Sequence, residues 1–320
     1  MNNASTLINP KASKNAIRLF DFLKSIYGKK ILTGQHTKTI PQDELRHIQE
    51  VTGKLPAICG FELLGYSPNI CRDNADESCL KEVDDNRDTI QKAIEWSERG
   101  GIVTYCWHWF SPTSGRDKSF YTQHTDFDLT VALKDGSEEN KALLRDLDQI
   151  ADHLKIFAEK DIPILWRPLH EADGKWFWWG AKGSEACKEL WYLMYDRFVH
   201  HHKLHNLIWV WNSYNPDWYP GSDRVDLLST DFYSPNHDGG CIKEAFDKVC
   251  ALDSSKMIAL AENGPVPDVA NALANKAPWL WYMTWCEVFC TTEDWTFNKD
   301  LIKTYNDPNA LTLQDLKNTF

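Results

Sequence analysis

Ile162-Pro163-Ile164-Leu165-Trp166-Arg167-Pro168-Leu169-His170-Glu171-Ala172-Asp173-Gly174-Lys175-Trp176-Phe177-Trp178-Trp179-Gly180 is the stretch from which the rest of the chain is read. The apolar run Ile162 to Leu169 is short, with Pro163 and Pro168 near its ends, and reads as a buried strand rather than a helix. His170 and Glu171 follow at once, then a glycine turn and four aromatic residues in five positions, more flat apolar surface than a loop leaves in water. A Glu at the end of a buried strand can have its pKa raised by apolar neighbours, as a general acid at neutral pH requires. Tryptophan faces suit the C–H faces of pyranose rings, so the pattern points to a sugar site.

On either side of this run the same beat recurs, a short β-rich stretch followed by a helical pattern. The expected strands are Lys30–Thr33, Pro56–Phe61, Ile102–Trp107, Ile162–Leu169, Leu207–Trp211, Leu227–Phe232, Met257–Ala261 and Trp281–Trp285. Amphipathic helices are expected at Asn86–Arg99, Glu139–Lys160, Ser184–His202 and Ile242–Leu252. Strands alternating with helices imply parallel pairing, and eight such units predict an α/β fold, a single (β/α)₈ TIM barrel with its site at the C-terminal ends of the strands. Between Trp211 and Asp231 the chain is rich in Asn, Pro, Gly and aromatics, so that crossover is expected to hold only a turn or a degenerate helix. With no linker, repeat or low-complexity tract, residues 1–320 read as one catalytic domain.

The net charge of −11 argues against a polyanionic partner, since counterion release needs a basic surface. No run of eighteen apolar residues suggests a membrane span, and Met1 to Thr6 lacks the charged and apolar regions of a secretory signal. The nine cysteines fit no paired zinc frame. Cys59, Cys106 and Cys286 read as small buried apolar residues, while Cys71 with Cys79 and Cys241 with Cys250 are candidates for short disulfide loops. His200, His201 and His202 are consecutive on a helix and point in different directions, which favours a solvated helix C-terminus over a metal site. No metal or cofactor is expected.

In a barrel the strand ends supply the chemistry. Glu171 ends the fourth strand and Glu262, in Ala259-Leu260-Ala261-Glu262-Asn263-Gly264, ends the seventh. Their separation of 91 positions equals about three βα units of about 31 residues, so both carboxylates are expected at one mouth, as glycoside hydrolysis needs. Arg167, on an alternate position, is expected to point inward and bind other carboxylates there. Glu62, Asp231 and Glu287 also lie near strand ends, and structural salt bridging is their default reading. Most of the fifteen tryptophans are expected in the core; Trp107, Trp109, Trp176 and Trp285 are assigned to the cleft, with Trp178 and Trp179 propping the loop from behind.

Arg167 to Glu171 followed by Gly174 to Gly180 resembles glycoside hydrolase family 26, best known for endo-β-1,4-mannanases. Trp107-His108-Trp109, Val210-Trp211-Asn212, Tyr219-Pro220-Gly221 leading to Val225-Asp226, Asp231-Phe232-Tyr233, Met283-Thr284-Trp285 and the tail from Tyr305 to Leu313 extend the resemblance over roughly positions 30 to 316. The resemblance implies that Glu171 is the acid/base and Glu262 the nucleophile of a retaining double displacement. It further implies that Tyr233 orients the nucleophile and that His108, His170, Trp176 and Trp285 line the subsite of the sugar being cleaved. An aromatic residue commonly follows the family's nucleophile, whereas here Asn263 does. The expected substrate is β-mannan or glucomannan, hydrolysed by an extracellular monomer. A β-1,3-xylanase or mixed-linkage β-glucanase on the same scaffold, a non-catalytic carbohydrate-binding barrel, and a cytoplasmic enzyme acting on imported oligosaccharides are the alternatives.

Overall fold

Eight parallel strands close into a barrel in the computed structural model, which describes residues 6–73 and 75–316. The strands are β1 Gly34–His36, β2 Ile58–Glu62, β3 Ile102–Cys106, β4 Ile164–Arg167, β5 Leu207–Asn212, β6 Leu227–Phe232, β7 Ile258–Asn263 and β8 Tyr282–Thr284. Each pairs with the next, and β1 pairs with β8 through Gln35 and Thr284. The Gln35 side-chain amide reinforces that seam by donating to the Thr284 and Trp285 carbonyls at 3.1 and 3.0 Å. Residues 1–5, where the absence of a signal pattern was read, lie outside the described residues.

Successive side chains of a strand face opposite sides, and the core divides along that alternation. Ile58, Ile102, Leu165, Ile208, Val210, Leu227, Ala259 and Met283 form one cluster inside the barrel, closed from below by Leu19, Phe20 and Leu23 of the helix Lys14–Ile26. Cys59, Phe61, Tyr105, Trp166, Trp209, Trp211, Leu228 and Leu260 belong to a second cluster that packs against the surrounding helices. The helices Thr89–Glu98, Glu138–Glu159 and Lys243–Leu252 fall close to their expected places. Ser184–Tyr195 runs on into a π-helical turn, Asp196–His201. The β5–β6 crossover carries only the 3₁₀ turn Pro216–Trp218.

Two expectations change. Ile31–Leu32 pairs with Ala310–Leu311 in a separate two-stranded ribbon, so the first barrel strand is β1, just downstream of the expected Lys30–Thr33. Its polar Gly-Gln-His sequence hides it from a search for apolar runs, and Gly34 is set by contact: a Cβ there would meet the Tyr282 carbonyl oxygen at 2.2 Å. Neither Cys71 with Cys79 nor Cys241 with Cys250 is joined; among the described residues all nine cysteines are thiols. Among the described residues no helix is long and apolar enough to cross a membrane.

One buried carboxylate ties the N-terminal segment to the barrel. Asp226, just before β6, accepts the Ile8 N–H at 2.7 Å through one oxygen and the Trp209 N–H at 2.8 Å through the other, and burial pushes its pKa up to about 6. Asp226→Ala leaves both donors without their acceptor. It is expected to lower the free energy of unfolding by about 2–4 kcal/mol in urea titrations, and a change below about 0.5 kcal/mol would show that the contact contributes little.

Candidate active site

Toward the C-terminal end of the barrel the inward positions change from apolar to polar. His36, Glu62, Cys106, Arg167, Asn212 and Glu262 all stand at strand ends and are buried. Glu262 reaches this mouth through an irregularity. Ala259 faces the barrel interior and Leu260 the helices, so strict alternation would send Glu262 toward the helices. The pairing of β6 with β7 steps from Thr230–Leu260 to Asp231–Glu262, passing over Ala261. This one-residue bulge restores the inward direction.

At the end of β4 the backbone turns instead. Leu169 and Glu171 both have φ near 53°, in the left-handed region, which ends the pleat and lets His170 and Glu171 both serve the mouth. The Glu171 N–H donates to Asn212 Oδ1 at 3.0 Å, fixing the turn to β5. Trp176, 48% exposed, folds back so that its indole N–H donates to Glu171 Oε2 at 3.0 Å. Gly174 makes room for that ring: a Cβ would lie 2.0 Å from it.

One carboxylate oxygen from each of Glu171, Asp231 and Glu262 lies within 4.8 Å of the others. The Arg167 guanidinium donates through Nη1 to Asp231 Oδ2 at 2.9 Å and through Nη2 to Glu262 Oε1. Burial alone would discharge the guanidinium, but Asp231 and Glu262 outweigh it and hold its pKa above the usual value. Tyr233 Oη donates to Glu262 Oε2 at 3.0 Å, and Asn212 Nδ2 donates to Asp231 Oδ1 at 2.8 Å. Glu171 is pushed up to about 7, first by burial and then by the negative charge of Glu262, and burial raises Asp231 as well, against the lowering effect of Arg167.

A second buried chain borders the first. Glu62 accepts the His108 Nδ1–H at 2.7 Å and the backbone N–H groups of His108 and Leu64 at 2.8 and 3.0 Å. Burial opposes its ionisation, yet His108 and these bonds lower its pKa to about 2. His108 is raised in turn because the Glu62 charge outweighs its own burial. Its Nε2 lies 3.3 Å from His170 Nε2, and His170 is held well below its usual pKa by burial, Arg167 and His108. The chain therefore holds His170, the residue before Glu171, as a neutral imidazole between His108 and Arg167. Trp285 is half-buried, its ring 4.2 Å from that of His36 and 6.1 Å from that of His108.

Of the residues assigned to the cleft, Trp107 and Trp109 are elsewhere, and this corrects their assignment. They alternate with His108 and so face the helices, stacked on each other at 4.1 Å, with their indole N–H groups donating to Ser67 Oγ and Asp146 Oδ2. Trp178 and Trp179 lie behind the loop, donating to the carbonyls of Trp109 and His170 at 2.6 and 2.9 Å. Glu62, Asp231 and Glu287 each form an ion pair, with His108, Arg167 and Lys38. For Glu62 and Asp231 that pairing is part of the site, and their place at strand ends was the available signal. Asn263 links β7 to β8, accepting the Met283 N–H at 2.9 Å and donating to the Thr284 hydroxyl at 3.3 Å, bonds an aromatic side chain cannot make.

Comparison with known proteins agrees with this architecture. The sequence profile of glycosyl hydrolase family 26 matches residues 8–315. A mannan endo-1,4-β-mannosidase of Thermothelomyces thermophilus is 42% identical over 98% of the chain, which spans 63% of that relative's length. The crystal structure of a Podospora anserina GH26-CBM35 β-(1,4)-mannanase superposes with a TM-score of 0.90 at 38% identity, covering 99% of this chain and 70% of that one. The β-mannanase from a symbiotic protist of the termite Reticulitermes speratus, complexed with a gluco-manno-oligosaccharide, gives a TM-score of 0.87 at 32% identity and 99% coverage of both chains. With the profile spanning nearly all of its length and relatives well above 30% identity, the chain belongs to glycosyl hydrolase family 26.

Proposed function

We propose that the chain is a retaining, endo-acting hydrolase of β-1,4-mannosidic bonds in mannan and glucomannan, with Glu171 as acid/base and Glu262 as nucleophile. The observation that carries this reading is the carboxylate spacing. Oxygens of the two residues within 4.8 Å suit the retaining geometry of about 5–5.5 Å between carboxyl groups. An inverting pair stands about 6.5–9.5 Å apart to admit a water. The names of the relatives and the gluco-manno-oligosaccharide in the protist enzyme support the substrate class.

The proton needed for the first step resides on Glu171. Both oxygens of Asp231 accept from Arg167 and Asn212, and both of Glu262 accept from Arg167 and Tyr233, so a proton on either would displace a donor. Glu171 accepts one side-chain bond, from Trp176. Glu262, aimed by Tyr233 and Arg167, attacks the anomeric carbon as Glu171 protonates the departing oxygen. The now ionised Glu171 then takes a proton from the water that cleaves the glycosyl ester. His108, His170 and Trp285 wall the sugar whose bond is broken. The polymeric substrate supports action outside the cell, by a monomer with a single catalytic domain.

Glu171→Gln is expected to lower kcat on mannan by about 10²–10⁴-fold, while an aryl mannoside with a good leaving group keeps much of its first-step rate. Near-normal turnover on mannan would remove Glu171 from the role. Glu262→Ala is expected to be inactive on mannan and, with azide, to release the α-glycosyl azide; formation of the β-azide would place the nucleophile elsewhere.

The acid must be protonated, so kcat/KM is expected to fall as pH rises past about 7, the pKa of Glu171. The Trp176 N–H stabilises the ionised form and lowers that pKa. Trp176→Phe should therefore move the alkaline limb upward; a limb that stays in place would show that another group sets it.

A further inference from the structure

Outside the ring of strand ends sits a carboxylate that the proposed mechanism does not use. Glu44, in the first turn of the helix Asp43–Thr52, is buried, and among the described residues it has no ion-pair partner. A charge in such a place is unfavourable unless hydrogen bonds replace the water it has lost. Each of its oxygens accepts one. Thr37 Oγ1 donates to Oε2 at 2.8 Å, and the Glu287 backbone N–H donates to Oε1 at 2.7 Å. Thr37 directly follows His36, the last residue of β1, and Glu287 comes two residues after Trp285, just past the end of β8. The rings of His36 and Trp285 are 4.2 Å apart. One side chain therefore ties together, from outside, the two chain segments whose rings meet at the mouth.

The turn at Glu287 depends on outside support. Its φ of 56° and ψ of −129° lie in a region open to glycine and unfavourable for any residue with a Cβ. Such conformations persist where surrounding contacts fix them. Upstream, the Trp285 N–H donates to the Asn263 carbonyl at 3.0 Å, and the Gln35 amide donates to the Trp285 carbonyl at 3.0 Å. Downstream, Glu44 takes the Glu287 N–H, while Lys38 reaches the Glu287 carboxylate at 2.6 Å and Asp85 at 3.1 Å. Lys38 acts on an exposed side chain, where an ion pair contributes little. Glu44 acts on the strained backbone itself.

We propose that Glu44 is a positioning residue for the glycosidase reaction: by fixing the turn at Glu287 it sets the angle at which Trp285 meets the sugar being cleaved. Its bonds go to Thr37 and Glu287, so it acts through Trp285. The inference rests on the activity proposed above and on Trp285 walling that sugar.

The test is a double-mutant cycle in kcat/KM on mannan, comparing the wild type, Glu44→Ala, Trp285→Ala and the double variant. Glu44→Ala should lower kcat/KM about tenfold or more, because small displacements beside a reacting centre are strongly felt. In the Trp285→Ala background the same change should cost less than about twofold, since the ring it positions is gone. Glu44→Gln keeps an acceptor for the Glu287 N–H and should recover most of the loss. A merely structural role would lower activity by the same factor in both backgrounds; that outcome, or a loss below about twofold in Glu44→Ala itself, overturns the positioning role and leaves the proposed activity intact. If Glu44→Ala does not fold, Thr37→Val, which removes one of the two bonds and keeps the side-chain shape, takes its place in the cycle and is read in the same way. If Trp285→Ala is too slow on mannan, the four proteins are compared on an aryl mannoside with a good leaving group. A wild type unable to cut mannan overturns the activity, and the positioning role with it.

Discussion

Arg167 is the fixed point of the mouth. A buried guanidinium between Asp231 and Glu262 joins the ends of β4, β6 and β7 with one rigid fork. Without its charge, acidic groups whose oxygens come within 4.8 Å of one another would repel, and Asp231 and Glu262 would lose the partner that holds them in place. With it, Glu262 is held from one side by Arg167 and from the other by Tyr233. Preorganisation of this kind spares the reaction the cost of orienting charge at the moment the bond breaks.

The surroundings extend that logic by dividing labour between neighbours. Glu62 fixes the ring of His108, and burial with the charges of Arg167 and His108 keeps His170 neutral. A neutral imidazole can donate at one nitrogen and accept at the other, and His170 turns one of its nitrogens to His108 while burying the second. The apolar inner cluster beneath, closed by the helix Lys14–Ile26, keeps the strand ends in register. The chemistry therefore rests on a dry floor and is confined to the last turn of each strand.

Much of this was legible in the chain. The beat of apolar runs and helical patterns was enough for the barrel, because parallel strands buried on both faces read as continuous apolar stretches. It failed at Gly34-Gln35-His36, where an edge of the closure carries polar side chains and the apolar Ile31-Leu32 beside it serves another ribbon. The strand-end rule brought Glu171, Glu262 and Arg167 to one mouth, as the fold does, yet it treated Trp107 and Trp109 as it treated His108, although neighbours in a strand cannot share a face. Glu62 and Asp231 were read only as salt-bridged; what spacing cannot show is that their partners are site residues. The cysteine pairs looked plausible by loop length alone, and loop length does not specify where Cβ atoms point.

The bulge at Ala261 carries a broader lesson. Glu262 faces inward because one extra residue offsets the pleat, and no feature of the glutamate itself decides this. One further residue inserted beside that alanine would offset the pleat again and turn the carboxylate into the helical shell, while each acidic group stayed present in the text. On this scaffold the gain of a single in-frame codon would part Glu262 from Arg167 without changing one acidic residue.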